Sequence, residues 1–105
     1  MYMDLQWFHD TIDEELDGAM TYAKKAIELK SMSEKMSKTF YDMANQEMEH
    51  AKHLFQMAID YYDKVIDAYS TESVPTYLSD IKDKIVECYT SKSLSTKLLI
   101  GMYKD

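Results

Sequence analysis

Three ionisable side chains stand where helical spacing calls for apolar ones. Positions 8, 12, 15, 19, 22, 26 and 29 recur at steps of three and four, and all are apolar or aromatic except Glu15. Positions 36, 40, 43, 47, 50, 54 and 57 form a second such row, interrupted only by Glu47 and His50. A carboxylate buried without a partner is strongly unfavourable, so these groups on core-facing rows need a chemical reason. The Glu47-x-x-His50 spacing puts both side chains on one helix face, one turn apart. Carboxylate and imidazole donors with open coordination positions suit iron, and manganese or zinc less specifically. Glu15, Glu47 and His50 are therefore the candidate metal ligands, and no separate catalytic residue stands out. The competing explanation is a salt-bridged polar layer of the kind that fixes register in a helical seam.

The elements that must position these groups are helical. A first amphipathic helix is expected from about Asp4 to Lys30, with Phe8, Ile12, Leu16, Ala19, Tyr22, Ala23, Ala26, Ile27 and Leu29 as its apolar stripe and Asp4 as its cap. Ser31-Met32-Ser33-Glu34 fits a capping box with Ser31 at the cap. The second helix then runs from about Met32 to Tyr69, along a seam of Met36, Phe40, Met43, Leu54, Met57 or Ala58, Tyr61, Val65 and Ala68. The short connection makes the two helices antiparallel neighbours. Residues 70–76 read as a loop, and Ser73 and Pro75 announce a further helical segment over 77–105. Its apolar face is Leu78, Ile81, Ile85, Val86 and Tyr89. The Ser-, Thr- and Lys-rich stretch 90–96 weakens it before a last patch of Leu98, Leu99, Met102 and Tyr103. One kinked helix and two short ones are both compatible with that pattern. The fold class is all-α: one domain over 1–105, made of a long antiparallel two-helix hairpin over 4–69 plus the C-terminal helical segment.

Height along the hairpin brings the three candidate ligands together. Glu15 lies 17 residues before Met32, and Glu47 and His50 lie 15 and 18 residues after it. With equal rise per residue in both helices, all three fall in one layer. Di-iron carboxylate bundles take one Glu from each of two helices and a Glu-x-x-His pair from each of two others. This chain supplies half of that set, and two copies related by a twofold would supply all of it.

The stretch Glu14-Glu15-Leu16-Asp17-Gly18-Ala19-Met20-Thr21-Tyr22-Ala23-Lys24-Lys25-Ala26 and the stretch Met43-Ala44-Asn45-Gln46-Glu47-Met48-Glu49-His50-Ala51-Lys52-His53-Leu54-Phe55 resemble the first helix pair of the rubrerythrin and ferritin-like family. There a Glu lies seven residues before a Tyr, and the second helix carries E-x-E-H-A-K or a close variant. The resemblance spans roughly residues 8 to 58. It implies half of a ferritin-like four-helix bundle, with Glu15 as the first-helix ligand, Glu47 as the bridging ligand and His50 as a terminal ligand. It further implies a di-iron centre shared between two chains that binds and oxidises Fe(II), with dioxygen or peroxide at the open positions. A full-length member carries a second helix pair with its own Glu and Glu-x-x-His. The C-terminal segment has Asp80, Asp83 and Glu87 but no His, so it is not that pair. Either a dimer completes the site, as in the short encapsulated ferritin-like proteins of similar size, or the site is incomplete. No Cys-x-x-Cys pair marks a rubredoxin-like module, which favours ferroxidase or iron storage over peroxidase. Two alternatives stand beside it: a non-enzymatic interaction or assembly protein on the same scaffold, of phage or mobile-element origin, with residues 77–105 meeting a partner, and a stand-alone, monomeric three-helix bundle with the C-terminal segment packed on the hairpin.

Composition narrows the partners. The 105 residues carry a net charge of −7 with 19 acidic side chains, and every one of the 12 basic ones is a lysine. That disfavours nucleic acid and anionic membrane surfaces as partners. The single cysteine, Cys88, fits a small core filler in a reducing compartment. With no basic, apolar leader at the start, a cytoplasmic location is expected. The nine Met and nine Tyr suit a chain that buries surface against other copies. Gly18, one turn from Glu15, points to close approach or to tolerance at a solvent edge. Tyr22 reads first as a core aromatic, His53 as exposed, and His9 with Asp13 as a surface pair.

Overall fold

The computed structural model of the chain describes residues 5–69 and 73–104. Three helices run in sequence: α1 over Leu5–Leu29, α2 over Glu34–Asp67 and α3 over Thr76–Lys104. Asp4, the expected cap of α1, and loop residues 70–72 lie outside the described part.

The chain turns between α1 and α2 one step later than the capping-box pattern implied. The amides of Met32 and Ser33 both bond back to the Leu29 carbonyl, at 3.0 and 2.8 Å, so residues 30–32 prolong the end of α1. Ser33, not Ser31, is the N-cap: its backbone is extended and its side chain accepts from the Met36 amide. Glu34 thereby sits in the first turn of α2, where its charge complements the helix dipole. A serine three residues before a glutamate matched the box, but the cap went to the serine with extended backbone.

Contacts along the length fix the topology. Ser37 donates its hydroxyl to the Ala26 carbonyl, and Phe8 meets Tyr61 with ring centroids 5.9 Å apart, so α1 and α2 are antiparallel. Lys92 reaches Asp13 and Asp17, while Lys30 donates to the Tyr103 carbonyl, so α3 runs parallel to α1. It packs chiefly on α1. Towards α2 it is spaced by aromatic rings: Phe55 stacks on Tyr89 at 4.2 Å, Tyr41 on Tyr103 at 4.5 Å, and the Lys82 ammonium lies 4.9 Å above the Tyr62 ring.

Helix α1 buries Phe8, Ile12, Leu16, Ala19, Ala23 and Ala26 of its expected stripe and Leu5 besides, while Tyr22, Ile27 and Leu29 are half-buried. Helix α2 differs from its expected seam. Its buried residues are Ser37, Ala44, Ala51 and Ala58, one per heptad and all small, so α1 can approach closely. Of the expected seam, Met36 and Met57 are 52% and 50% exposed, and Ala68 is exposed too. The rest of the expected row is met in part: Ala58 is buried, Phe40 and Tyr61 pack on the Tyr22 and Phe8 rings of α1, and Leu54 and Val65 rest against the core.

Helix α3 is continuous through residues 90–96, and Ser93 and Thr96 there are buried. Thr96 satisfies its hydroxyl on the Lys92 carbonyl at 2.8 Å. Two residues of the expected last patch, Leu98 and Met102, are instead 63% and 60% exposed. The Ser93 hydroxyl is buried with no hydrogen-bond partner. Removing it restores the desolvation cost of an unpaired polar atom. Ser93→Ala should leave the chain as stable or up to about 1 kcal/mol more stable in urea unfolding; a loss of stability would show that the hydroxyl has a partner.

Candidate metal centre

The α1–α2 contact sets Glu15, Glu47 and His50 side by side. One ligand atom from each lies within 4.8 Å of the other two, and no other His, Cys, Asp or Glu group of three does so among the described residues. Glu47 and His50 project from the same side of α2 because three residues make almost one turn. His50 Nδ1 is 3.4 Å from Glu15 Oε2. That oxygen is buried and has no hydrogen-bond partner, so the contact with His50 is electrostatic rather than a formed hydrogen bond. The His50 side chain is 59% exposed and that of Glu15 26%, which places the cluster at the rim of the α1–α2 contact.

Two carboxylates this close cannot both ionise freely. The Glu47 carboxyl is pushed up to about 7, first by hydrogen bonding to Glu15, then by burial and by the Glu15 charge, while His50 pulls it back. Gly18 faces the same group: a Cβ built there would lie 3.5 Å from Glu47 Oε2. A methyl would just touch that oxygen, and anything longer would displace it, so this glycine lines the Glu47 carboxylate rather than a solvent edge.

An acidic pair and an imidazole, one oxygen of the set buried without a partner, fit a divalent metal ion. Glu15, Glu47 and His50 would hold it.

The remaining candidates fall outside the cluster. His53 is 66% exposed and lies 3.9 Å from Glu49. His9 contacts Asp10 at 3.1 Å instead of Asp13, because Asp13 is engaged by Lys92. Tyr22 is half-buried and packs at a tilt against the equally half-buried Phe40, centroids 6.0 Å apart, outside the buried core. Cys88 lies 3.5 Å from Asp13 Oδ1, and burial with that contact pushes its thiol up to about 11. Asp80 lines a cleft beside Leu5, Val65 and Leu78, at the far end of the helices. The feature that sequence analysis missed is the pairing of Lys92 with Asp13 and Asp17. Its signal was the four-residue spacing of the two aspartates on α1, but nothing in the sequence named a lysine 75 residues on from Asp17 as the partner.

An antiparallel helix pair that sets a glutamate of one helix against Glu-x-x-His of the next defines a ferritin-like scaffold. The rubrerythrin family model matches residues 8–104, and the chain belongs to the rubrerythrin family. Domains of this family typically bind iron. The match takes in α3 as well as the hairpin. No curated protein and no solved structure matches the chain.

Glu47 predicts a pH dependence of the metal-free chain. Its folded value near 7 lies above the ordinary 4.5, so the folded chain holds a proton that the unfolded chain has released between those limits. The stability it contributes is complete below about 4.5 and is lost as pH rises through 7. The melting temperature should fall across that window, and Glu47→Gln should flatten the fall; an equal slope in the variant would refute the shared-proton account.

Proposed function

We propose that the chain binds iron through Glu15, Glu47 and His50, and that two copies related by a twofold complete a di-iron centre that oxidises Fe(II). The observation that carries this reading is the convergence of the three ligand atoms within 4.8 Å on the flank of the hairpin that α3 leaves uncovered. Glu47 would bridge the two irons, and Glu15 and His50 would be terminal ligands. Family membership supports iron as the metal.

The pairing follows from what the flank offers. Met36 and Met57 are half exposed on the row that also holds Glu47 and His50, about three turns before Glu47 and two turns after His50. Covering that row with the same row of a second copy would bury apolar surface and bring up the other Glu15, Glu47 and His50. A twofold interface of this kind is self-complementary. Alone, one chain offers three donors, too few to enclose two metal ions.

Held by Glu15, Glu47 and His50, iron would supply one-electron redox chemistry, with Fe(II) as substrate and dioxygen as the electron acceptor. The chain's own groups bring charge and proton handling. Two carboxylates per chain neutralise the cations, and the proton shared between Glu15 and Glu47 leaves when metal enters, so binding should release protons and strengthen as pH rises.

Native mass spectrometry with anaerobic Fe(II) tests the reading. The expected species is a dimer, or a multiple of dimers, holding two irons per pair of chains. Glu47→Ala should abolish metal uptake while helicity by circular dichroism stays unchanged. Unchanged metal content in that variant, or a wild-type chain that ignores Fe(II), would leave a helical interaction module as the standing alternative.

A further inference from the structure

Helix α3 contributes no ligand to the cluster, yet it grips the ligand-bearing turn of α1 from behind. Asp13 and Asp17 lie two residues either side of Glu15. At 3.6 residues per turn, these aspartates sit about 40° apart and each about 160° from Glu15 around the helix. The Lys92 ammonium donates to both, to Asp13 and to Asp17 at 2.7 Å. One turn of α1 is thus held from opposite sides: by Lys92 on the α3 side, and by Glu47 and His50 on the open side.

This opposition has a mechanical consequence. Any rotation of α1 that takes Glu15 away from Glu47 and His50 also takes both aspartates away from Lys92. The buried side chains of Ile12 and Leu16 restrain the same turn from the core, and the two directed pairs of Lys92 add to them on the face opposite Glu15.

We propose that Lys92 is a positioning residue for the metal centre. Its pairs with Asp13 and Asp17 hold the α1 turn so that Glu15 stays presented to Glu47 and His50. The inference rests on the reading that those three residues bind metal.

Positioning and through-space charge make opposite predictions for Lys92. As a cation near the site it repels a metal ion, and its removal leaves two aspartates uncompensated, which attracts one. By charge alone Lys92→Met should bind metal more tightly. By positioning it should bind more weakly, by about three- to tenfold for the loss of two partly exposed ion pairs. Co(II) titration of the full chain, followed by calorimetry and by the visible ligand-field bands, separates the two. The expected result is weaker Co(II) binding and altered bands in Lys92→Met, with both restored in Lys92→Arg. Lys92→Gln, which keeps a donor but no charge and disturbs packing less, should fall between and serves as the readout if Lys92→Met does not fold. Equal or tighter binding in the neutral variants overturns the proposal and leaves the metal-site reading intact. A wild-type chain that takes up no Co(II) overturns both.

Discussion

A column of small side chains governs the arrangement. Ser37, Ala44, Ala51 and Ala58 recur once per heptad on α2 and are buried against α1. With no bulk between the backbones, the helices approach closely and their flanking side chains meet. Glu15 reaches Glu47 and His50 for that reason, and the Ser37 hydroxyl reaches the Ala26 carbonyl. A leucine in place of Ala44 or Ala51 would separate the backbones and the ligand layer together. The meeting of the three candidate donors is therefore a consequence of how α1 and α2 pack, not an addition to it.

Charge is handled by sorting it around α1. The chain has seven more acidic than basic side chains, and four carboxylates fall within the short stretch Asp13-Glu14-Glu15-Leu16-Asp17. Glu14 points to solvent. Asp13 and Asp17 point to α3, where Lys92 holds the Asp13 carboxyl below its usual range and is itself pushed up by the two pairs. Only Glu15 points to Glu47, and there no lysine answers it. The polar layer that a register-fixing seam would need is present, but it ends in a half-paired carboxylate. A structural layer has no use for an unsatisfied buried oxygen, whereas a cation site does.

The sequence carried the helices and the ligand layer because both follow from short-range periodicity. The heights of Glu15, Glu47 and His50 could be counted from the turn, since helical rise is nearly constant. What the period could not decide was which of two adjacent rows on α2 faces α1. Met36 and Met43 are larger apolar side chains than Ser37 and Ala44, so the bulkier row looked like the contact, with Met57 and Ala58 left as alternatives at its end. Size settled it instead: close packing selects small residues. In α3 the same preference misled in the other direction. The Ser- and Thr-rich stretch 90–96 looked like a weak point, yet Ser93 and Thr96 are the residues that lie buried. The partnership of Asp13 and Asp17 with Lys92 was beyond reach, because it depends on α3 returning parallel to α1.

Helix α2 is apolar over more of its circumference than one chain can cover. Tyr41, Met48, Phe55 and Tyr62 form a row on its α3 side, and the rings of Tyr41 and Phe55 stack on rings of α3. The small column serves α1. In the third row Phe40 packs on Tyr22 of α1 and Leu54 on the core, but Met36 and Met57 are half exposed, and Glu47 and His50 lie between them. A centre enclosed by a single chain would need donors on the α3 row that faces α2, and that row carries Tyr89 and Tyr103 instead. The three candidate ligands thus stand on a flank that the chain covers only in part. In the paired state proposed here, the apolar part of that flank drives association and its polar part gains the second half of a coordination set. Both halves then depend on one another: the carboxylates would oppose pairing unless cations neutralise them, and the cations would lack donors unless the chains pair.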